Sequence, residues 1–501
     1  MSIAPLSRAL VAAVLFLAGG EAARGETWKS VRQLPAPEAN QAAAADERYL
    51  YAITNDRVVV FDRATDARVS ESRGDAKHLN SGFVWDGVLY AAHSNYPKTP
   101  ESSQIKRFDP ATGELTTFHD FGNYGGSLTW AIHQPKRAPD EWWCNFAKFG
   151  EHNVETFLVR FDADWKELAR FTYPPELFGR LGKFSLSGGI WTDDTLLVTG
   201  HDDRMAFRLR LPATGTVLEF VEEVPIAFTG QGIAADPVTG GLVGIDRGRK
   251  RVLVAESERL AARRLRVLTY NIHHGEGTDG KLDLDRIAEV IRVSAADIVC
   301  LQEVDRNVTR SGRVDQPAVL GKALGFHVAF GGNLSLQGGA YGNALLSRYP
   351  ISRSENVLLP VVAKGEQRGV LMAEIAVPML AAPVKAFATH LDHRRDDAER
   401  RASMQVINDR AAKAGNAFAI LAGDLNDDRG SETLAAVSSR WTLCGDREIP
   451  SIPSDQPKQQ IDFVGYRPAA ACRVVETRVI AEPVASDHRP VLTILEFADT
   501  P

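Results

Sequence analysis

A repeating unit of apolar strand, Asp-centred turn and second apolar strand runs through the first half of the chain and stops near residue 256. AAAADERYLYAITNDRVVVFDRATDARV begins near Ala43, SGFVWDGVLYAAH at Ser81, SLTWAIHQPKRAPDEWWCNF at Ser127, SGGIWTDDTLLVTGHDD at Ser187 and GQGIAADPVTGGLVGID at Gly230. A third strand often follows an F-D turn. A period of about 40 to 50 residues with four strands per unit is the signature of β-propeller blades, and about five such units fit the length. Residues 26–258 are therefore expected to form a mostly-β, propeller-like domain. The recurring Asp residues read as turn formers. No nucleophile–base pair stands at diagnostic spacing in this half.

From Arg264 the pattern changes. LRVLTYNI and DIVCLQEV are buried strands, and between them LDLDRIAEVIRVS places Leu284, Ile287, Val290 and Ile291 on one helical face. Two further helices are expected over residues 317–324 and 396–412, with strands near Ala344, Gly369, Lys385, Phe418, Gln460, Arg473 and Val491. Many strands with few helices imply two packed sheets with helices outside, an α+β domain over residues 264–501. The boundary, ESERLAAR, is short and charged rather than Gly/Ser-rich, so the halves are expected to touch.

The N-terminus reads as an export signal. Arg8 precedes an apolar run of 12 residues, ALVAAVLFLAGG, followed by small residues in AARG. A membrane span needs about 20 residues. Residues 1–25 are thus expected to be a signal peptide cleaved near Gly25. The expected product is secreted or periplasmic, with no transmembrane segment in the mature chain. Four cysteines, Cys144, Cys300, Cys444 and Cys472, are too scattered for a disulfide scaffold or a zinc module. Strand geometry decides whether Cys444 and Cys472 pair.

Polar residues gather where the apolar runs of the second half end. They are two carboxamides (Asn271, Asn426), four carboxylates (Glu303, Asp424, Asp462, Asp487) and two histidines (His390, His488), all expected at the C-terminal ends of strands. Hard oxygen ligands of this kind suit Mg²⁺ or Mn²⁺ rather than a thiolate-loving metal. Such an ion neutralises a phosphoryl oxygen and stabilises a leaving oxygen. A histidine near a carboxylate serves as base or phosphate donor near neutral pH. No Ser or Cys nucleophile motif is visible, so water is the expected attacking group.

L-T-Y-N-I, L-Q-E-V, G-N-A-L-L-S-R-Y-P-I, T-H-L, G-D-L-N-D, I-D-F-V and S-D-H-R-P-V occur in that order. As an ordered set they resemble the endonuclease/exonuclease/phosphatase superfamily, from Arg264 to about Phe497. The resemblance implies a four-layer α/β/β/α sandwich. It implies that Glu303 is the main metal ligand, with Asn271 beside it and Asp487 in support. It assigns His390 to the phosphate, Asp424 and Asn426 to the attacking water, and His488, oriented by Asp462, to proton transfer or phosphate contact. Which of Asp424 and His488 takes the proton stays open. Arg306, Arg310, Arg368 and His393 are weaker candidates for substrate phosphate, and Tyr341 and Asn343 for the cleft wall.

The expected function is hydrolysis of a phosphate ester or phosphodiester of unidentified substrate. An extracellular endonuclease is the alternative. A nucleic-acid partner calls for a basic field, whereas the chain carries a net charge of -6 and the region from Arg264 holds 28 basic against 30 acidic residues. A propeller-based binding protein with a degenerate hydrolase domain is the non-enzymatic alternative, and the intact set of site residues weighs against it.

Overall fold

The structure, a computed structural model, describes residues 26–133, 141–192 and 194–498. The leader expected over residues 1–25 lies outside them.

The N-terminal half consists of five small four-stranded antiparallel sheets. Four are built from consecutive strands, starting at Ala42–Ala45, Leu79–Trp85, Ser127–His133 and Gly188–Thr192. In the fifth, Ala234–Ala235, Leu242–Asp246 and Arg251–Ser257 are joined by Trp28–Pro35 from the start of the domain. The first strands of successive sheets pack side by side, and Ala42 bridges Gly232. Only glycine fits at residue 232, because a Cβ there would stand 2.5 Å from the Ala42 Cβ. The turns use Asp as expected: Asp46 Oδ1 accepts from the backbone N–H groups of Arg48 at 2.7 Å and Tyr49 at 2.6 Å.

The C-terminal half carries two six-stranded sheets packed face to face. Leu265, Val267, Cys300 and Leu345 of one meet Leu371, Ala386, Ile420 and Val464 of the other. Helices Leu284–Ser294 and Gln316–Leu324 cover the outer face of the first sheet through Ile287, Ile291 and Leu320. Ala398–Lys413 and Glu432–Ser438 cover the second through Met404, Ile407, Leu434 and Val437. The result is the α/β/β/α layering. Each sheet contains one parallel pair: Arg264–Asn271 with Ile298–Arg306, and Val384–His390 with Ala419–Asp424. A helix connects each pair, so the strands of both pairs run out toward the same end of the sandwich, where Asn271, Glu303, His390 and Asp424 meet. Strands His327–Leu336 and Ile351–Leu358 edge the two sheets. Cys444 and Cys472 are free thiols against the same core.

The halves touch through a buried ionic network. Glu476 Oε1 accepts from Arg32 Nη1 at 2.8 Å and Arg63 Nε at 2.9 Å, while Arg63 Nη2 reaches Asp236 Oδ2 at 2.5 Å. Arg478 and Arg32 both face Asp66. Beside the network, Ala64 packs with Ile449, Val479 and Val491, and Val479 N donates to Ala64 O at 2.7 Å. The linker region is a short helix, Glu258–Ala261, capped by Ser257. Just before it, buried Glu256 faces Arg264 and Arg266.

Candidate active site

Asn271 ends its strand at the centre of the site. Its Nδ2 donates to Glu303 Oε1 at 2.9 Å and to Asp424 Oδ2 at 3.1 Å, so one amide holds together carboxylates from the two sheets. The carboxamide oxygen accepts from His273 N at 3.0 Å, and the backbone oxygen from Ser486 Oγ at 2.7 Å.

Glu303 does not end its strand, as its place in the apolar run suggested. Pairing continues to Arg306 beyond a bulge in which Gln302 and Glu303 together oppose Asn343. The bulge sets Glu303 at φ 57, a left-handed conformation uncommon for a side chain with a Cβ, and re-aims the carboxylate. Asn426 is held similarly, at φ 51: its N–H bonds Asp424 Oδ1 at 3.0 Å and its Nδ2 bonds Leu391 O at 3.0 Å.

Two other expectations need correction. Asp462 opens an antiparallel strand, Asp462–Arg467, directly opposite Asp424. Asp487 and His488 lie in the loop before Val491–Glu496. The residues converge all the same, because the start of an antiparallel strand and the end of its neighbour share one edge. Asp424, Asp462 and His488 are buried, with one ligand atom from each within 4.8 Å of the others.

Hydrogen bonding sets the state of both histidines. Arg368 can only donate, and its Nη1 lies 3.2 Å from His390 Nδ1, so the His390 proton sits on Nε2, which lies 3.4 Å from Asp424 Oδ2. Burial, then the charges of Arg368 and His488, holds His390 well below the usual imidazole range. It is a neutral donor directed at Asp424. His488 Nδ1 bonds Asp462 Oδ2 at 2.9 Å and its Nε2 lies 3.7 Å from Asp424 Oδ2. Burial alone would depress this imidazolium, but Asp462 and then Asp424 outweigh it and the value is raised. Burial pushes Asp424 in the same direction, against the charge of His488. Asp424 and His488 therefore face each other as a buried acid–base pair. Ser451 Oγ fixes Asp462 Oδ2 at 2.6 Å. Asp487 accepts from Ser486 Oγ at 3.2 Å and adds negative charge near His488.

The weaker candidates divide. Arg368 is buried between His390 and His393, with Glu366 2.8 Å from its Nη1. Tyr341 lies beside Arg368 and Glu303, and Arg310 stacks over its ring while bonding Asp305 twice. Arg306 is exposed over Phe330 rather than among these groups. Asn343 is fully buried and its Nδ2 bonds Gly369 O at 2.9 Å, so it ties one sheet to the other. Sequence reasoning missed His273 and His274, whose ligand atoms stand within 4.8 Å of that of Glu303. The signal was available in the two histidines that follow Asn271-Ile272.

Residues 268–488 match the profile of the Endonuclease/Exonuclease/phosphatase family. The C-terminal half is a domain of that family. Among curated proteins, YbhP of Escherichia coli K12, described as uncharacterized, is 29% identical over 240 residues, covering 45% of this chain and 94% of its own. A solved endonuclease/exonuclease/phosphatase from Beutenbergia cavernae is 27% identical with a TM-score of 0.42, covering 48% of this chain and 73% of that one. The catalytic domain of human Nocturnin, solved with bound sulfate, is 19% identical with a TM-score of 0.38, covering 47% and 95%.

Proposed function

We propose that this protein is an exported, divalent-metal-dependent phosphoesterase that cleaves a P–O bond by in-line attack of water. The observation that carries this reading is the largely buried network in which Asn271 joins Glu303 to Asp424 while Asp424 faces both His390 and His488. Its carboxylates fit a hard cation, since oxygen donors are what Mg²⁺ and Mn²⁺ take. Glu303 and Asp487 would hold the ion, with Asn271 beside them fixing the Glu303 carboxylate through its Nδ2, and the ion would supply charge neutralisation at a phosphoryl oxygen.

The chain's own groups have distinct tasks. His390 donates through Nε2–H to a non-bridging phosphate oxygen. Asn426 and Asp424 position the attacking water. The Asp424–His488 pair accepts its proton, with Asp462 orienting the ring. Arg368 fixes the tautomer of His390, and Tyr341 lines the cleft.

Residues 26–258 complete the reading as a five-bladed propeller. Support comes from the sequential four-stranded sheets and from the pairing of Trp28–Pro35 with Arg251–Ser257, which joins the two ends of the domain. Residues 1–25 act as the export signal, so the exported product should begin between Glu21 and Trp28. An intact Met1 on N-terminal sequencing would overturn export by cleavage. The activity is tested by screening the full chain with Mg²⁺ or Mn²⁺ against aryl phosphodiesters, sugar phosphates, phospholipids and DNA. Turnover of a phosphate ester is expected, and inertness toward all four classes would refute the reading.

A further inference from the structure

His273 and His274 have no task in the machinery above, yet their backbone is built with unusual care. They adopt φ 43 and φ 45, followed by Gly275 at φ 83. Residues with a Cβ rarely enter this region, and two in succession need outside support. His273 N is held by Asn271 Oδ1 at 3.0 Å. Gln316 Nε2 donates to His274 O at 2.6 Å, and Gln316 Oε1 accepts from Asp305 N at 2.9 Å. That glutamine locks the histidine turn to the strand that carries Glu303. A Cβ at residue 275 would crowd Leu284 Cδ2 at 3.0 Å and Gln316 Nε2 at 3.2 Å, and the backbone φ of 83 itself favours glycine.

The turn brings both imidazoles to Glu303, with one ligand atom from each of the three residues within 4.8 Å of the others. Their partners assign the lone pairs. His273 Nδ1 lies 3.2 Å from the carbonyl oxygen of Glu276, which can only accept, so Nδ1 carries the proton and Nε2 the lone pair. An imidazole oriented through Nδ1–H to a backbone carbonyl is the arrangement of metal-ligating histidines. His274 Nε2 faces the Glu276 carboxylate at 3.5 Å, a charge contact that favours the proton on Nε2 and the lone pair on Nδ1. That nitrogen is buried without a hydrogen-bond partner, in a residue only 8% exposed. A buried polar atom without a partner in an otherwise satisfied turn calls for a ligand or a water. Nearby Arg310 is already paired twice with Asp305.

We propose that His273, His274 and Glu303 form a nitrogen-bearing site for a borderline divalent ion, Zn²⁺ or Mn²⁺, adjoining the oxygen-rich pocket of Asn271 and Asp424. It rests on the hydrolase reading only in sharing Glu303 as a ligand. Two imidazoles with one carboxylate are a donor set Zn²⁺ prefers and Mn²⁺, an oxygen-loving ion, still accepts, whereas Mg²⁺ takes oxygen and water. The protein would therefore discriminate between divalent ions through this turn.

Pulsed electron paramagnetic resonance of the full chain loaded with Mn²⁺ tests the site without any substitution. Hyperfine coupling to directly bound histidine nitrogen is expected, and its absence overturns the proposal. Equilibrium dialysis then compares wild type with His273→Gln and His274→Gln. Each variant should bind Zn²⁺ about 10-fold or more weakly while Mg²⁺ affinity is unchanged. Equal Zn²⁺ affinity in wild type and both variants overturns it. If the hydrolase reading fails instead, no ester is turned over with any metal, while the nitrogen coupling persists.

Discussion

Replacing Glu476 with glutamine removes one negative charge from the junction between the halves while keeping the side chain's shape. Arg32 and Arg63 both bond its Oε1, and Arg478 lies 3.7 Å from its Oε2. Burial alone would raise this carboxyl, but Arg32, Arg63 and Arg478 outweigh it and hold it at about 2, against an ordinary 4.5. Because the folded value is the lower one, the stabilisation is complete above about pH 5 and is lost as pH falls toward 2. At about 1.4 kcal/mol per unit the shift corresponds to about 3 kcal/mol. Glu476→Gln leaves Arg32, Arg63 and Arg478 facing only Asp66 and Asp236. Breaking a buried ion pair from one side costs about 3 to 5 kcal/mol. Urea unfolding followed by tryptophan fluorescence should therefore show a variant about 3 kcal/mol less stable at pH 7. The gap should narrow as both proteins are acidified from pH 5 to 3. A variant within about 0.5 kcal/mol of wild type at pH 7, or parallel pH profiles, would refute the assignment of the network to interdomain stability.

Two further substitutions probe the site. Asp462→Asn removes the charge that orients and supports His488, and should lower kcat by about 10²- to 10⁴-fold with an unchanged circular dichroism spectrum. Gly423→Ala would place a Cβ 2.1 Å from Thr389 O, inside the parallel pair that ends in His390 and Asp424. It should destabilise the domain by about 1 to 3 kcal/mol and reduce activity, both visible in thermal melts and steady-state assays.

What the sequence made legible follows from local physics. Apolar runs broken by Asp and Gly turns marked the small N-terminal sheets, and the 3.6-residue spacing of Ile287 and Ile291 marked a covering helix. Trp28–Pro35 was illegible because its partner, Arg251–Ser257, lies at the far end of the domain and its own sequence, WKSVRQLP, carries little apolar alternation. The junction network was hidden for the same reason, since Arg32 and Glu476 are 444 residues apart. In the site, the chemistry of Asn271, Glu303, His390, Asp424, Asp462 and His488 could be read from residue type and order. Their placement could not. Whether Asp462 opens or ends its strand depends on the direction of its neighbour, and the bulge at Glu303 depends on pairing with the strand Gly339–Ser347. His273 and His274 were visible as a motif, but only the left-handed turn turns them toward Glu303.

The central claim is most directly tested by the rate of aryl phosphodiester hydrolysis as a function of metal concentration, in wild type, Glu303→Gln and His488→Ala. The account predicts that EDTA abolishes wild-type activity and that added Mg²⁺ or Mn²⁺ restores it. Glu303→Gln, which loses a charge partner of the ion, should be rescued in part by excess metal. His488→Ala, which loses a proton-transfer group, should stay about 10²- to 10⁴-fold down at every concentration. Wild-type activity that survives chelation, or two variants that respond identically to metal, would contradict it.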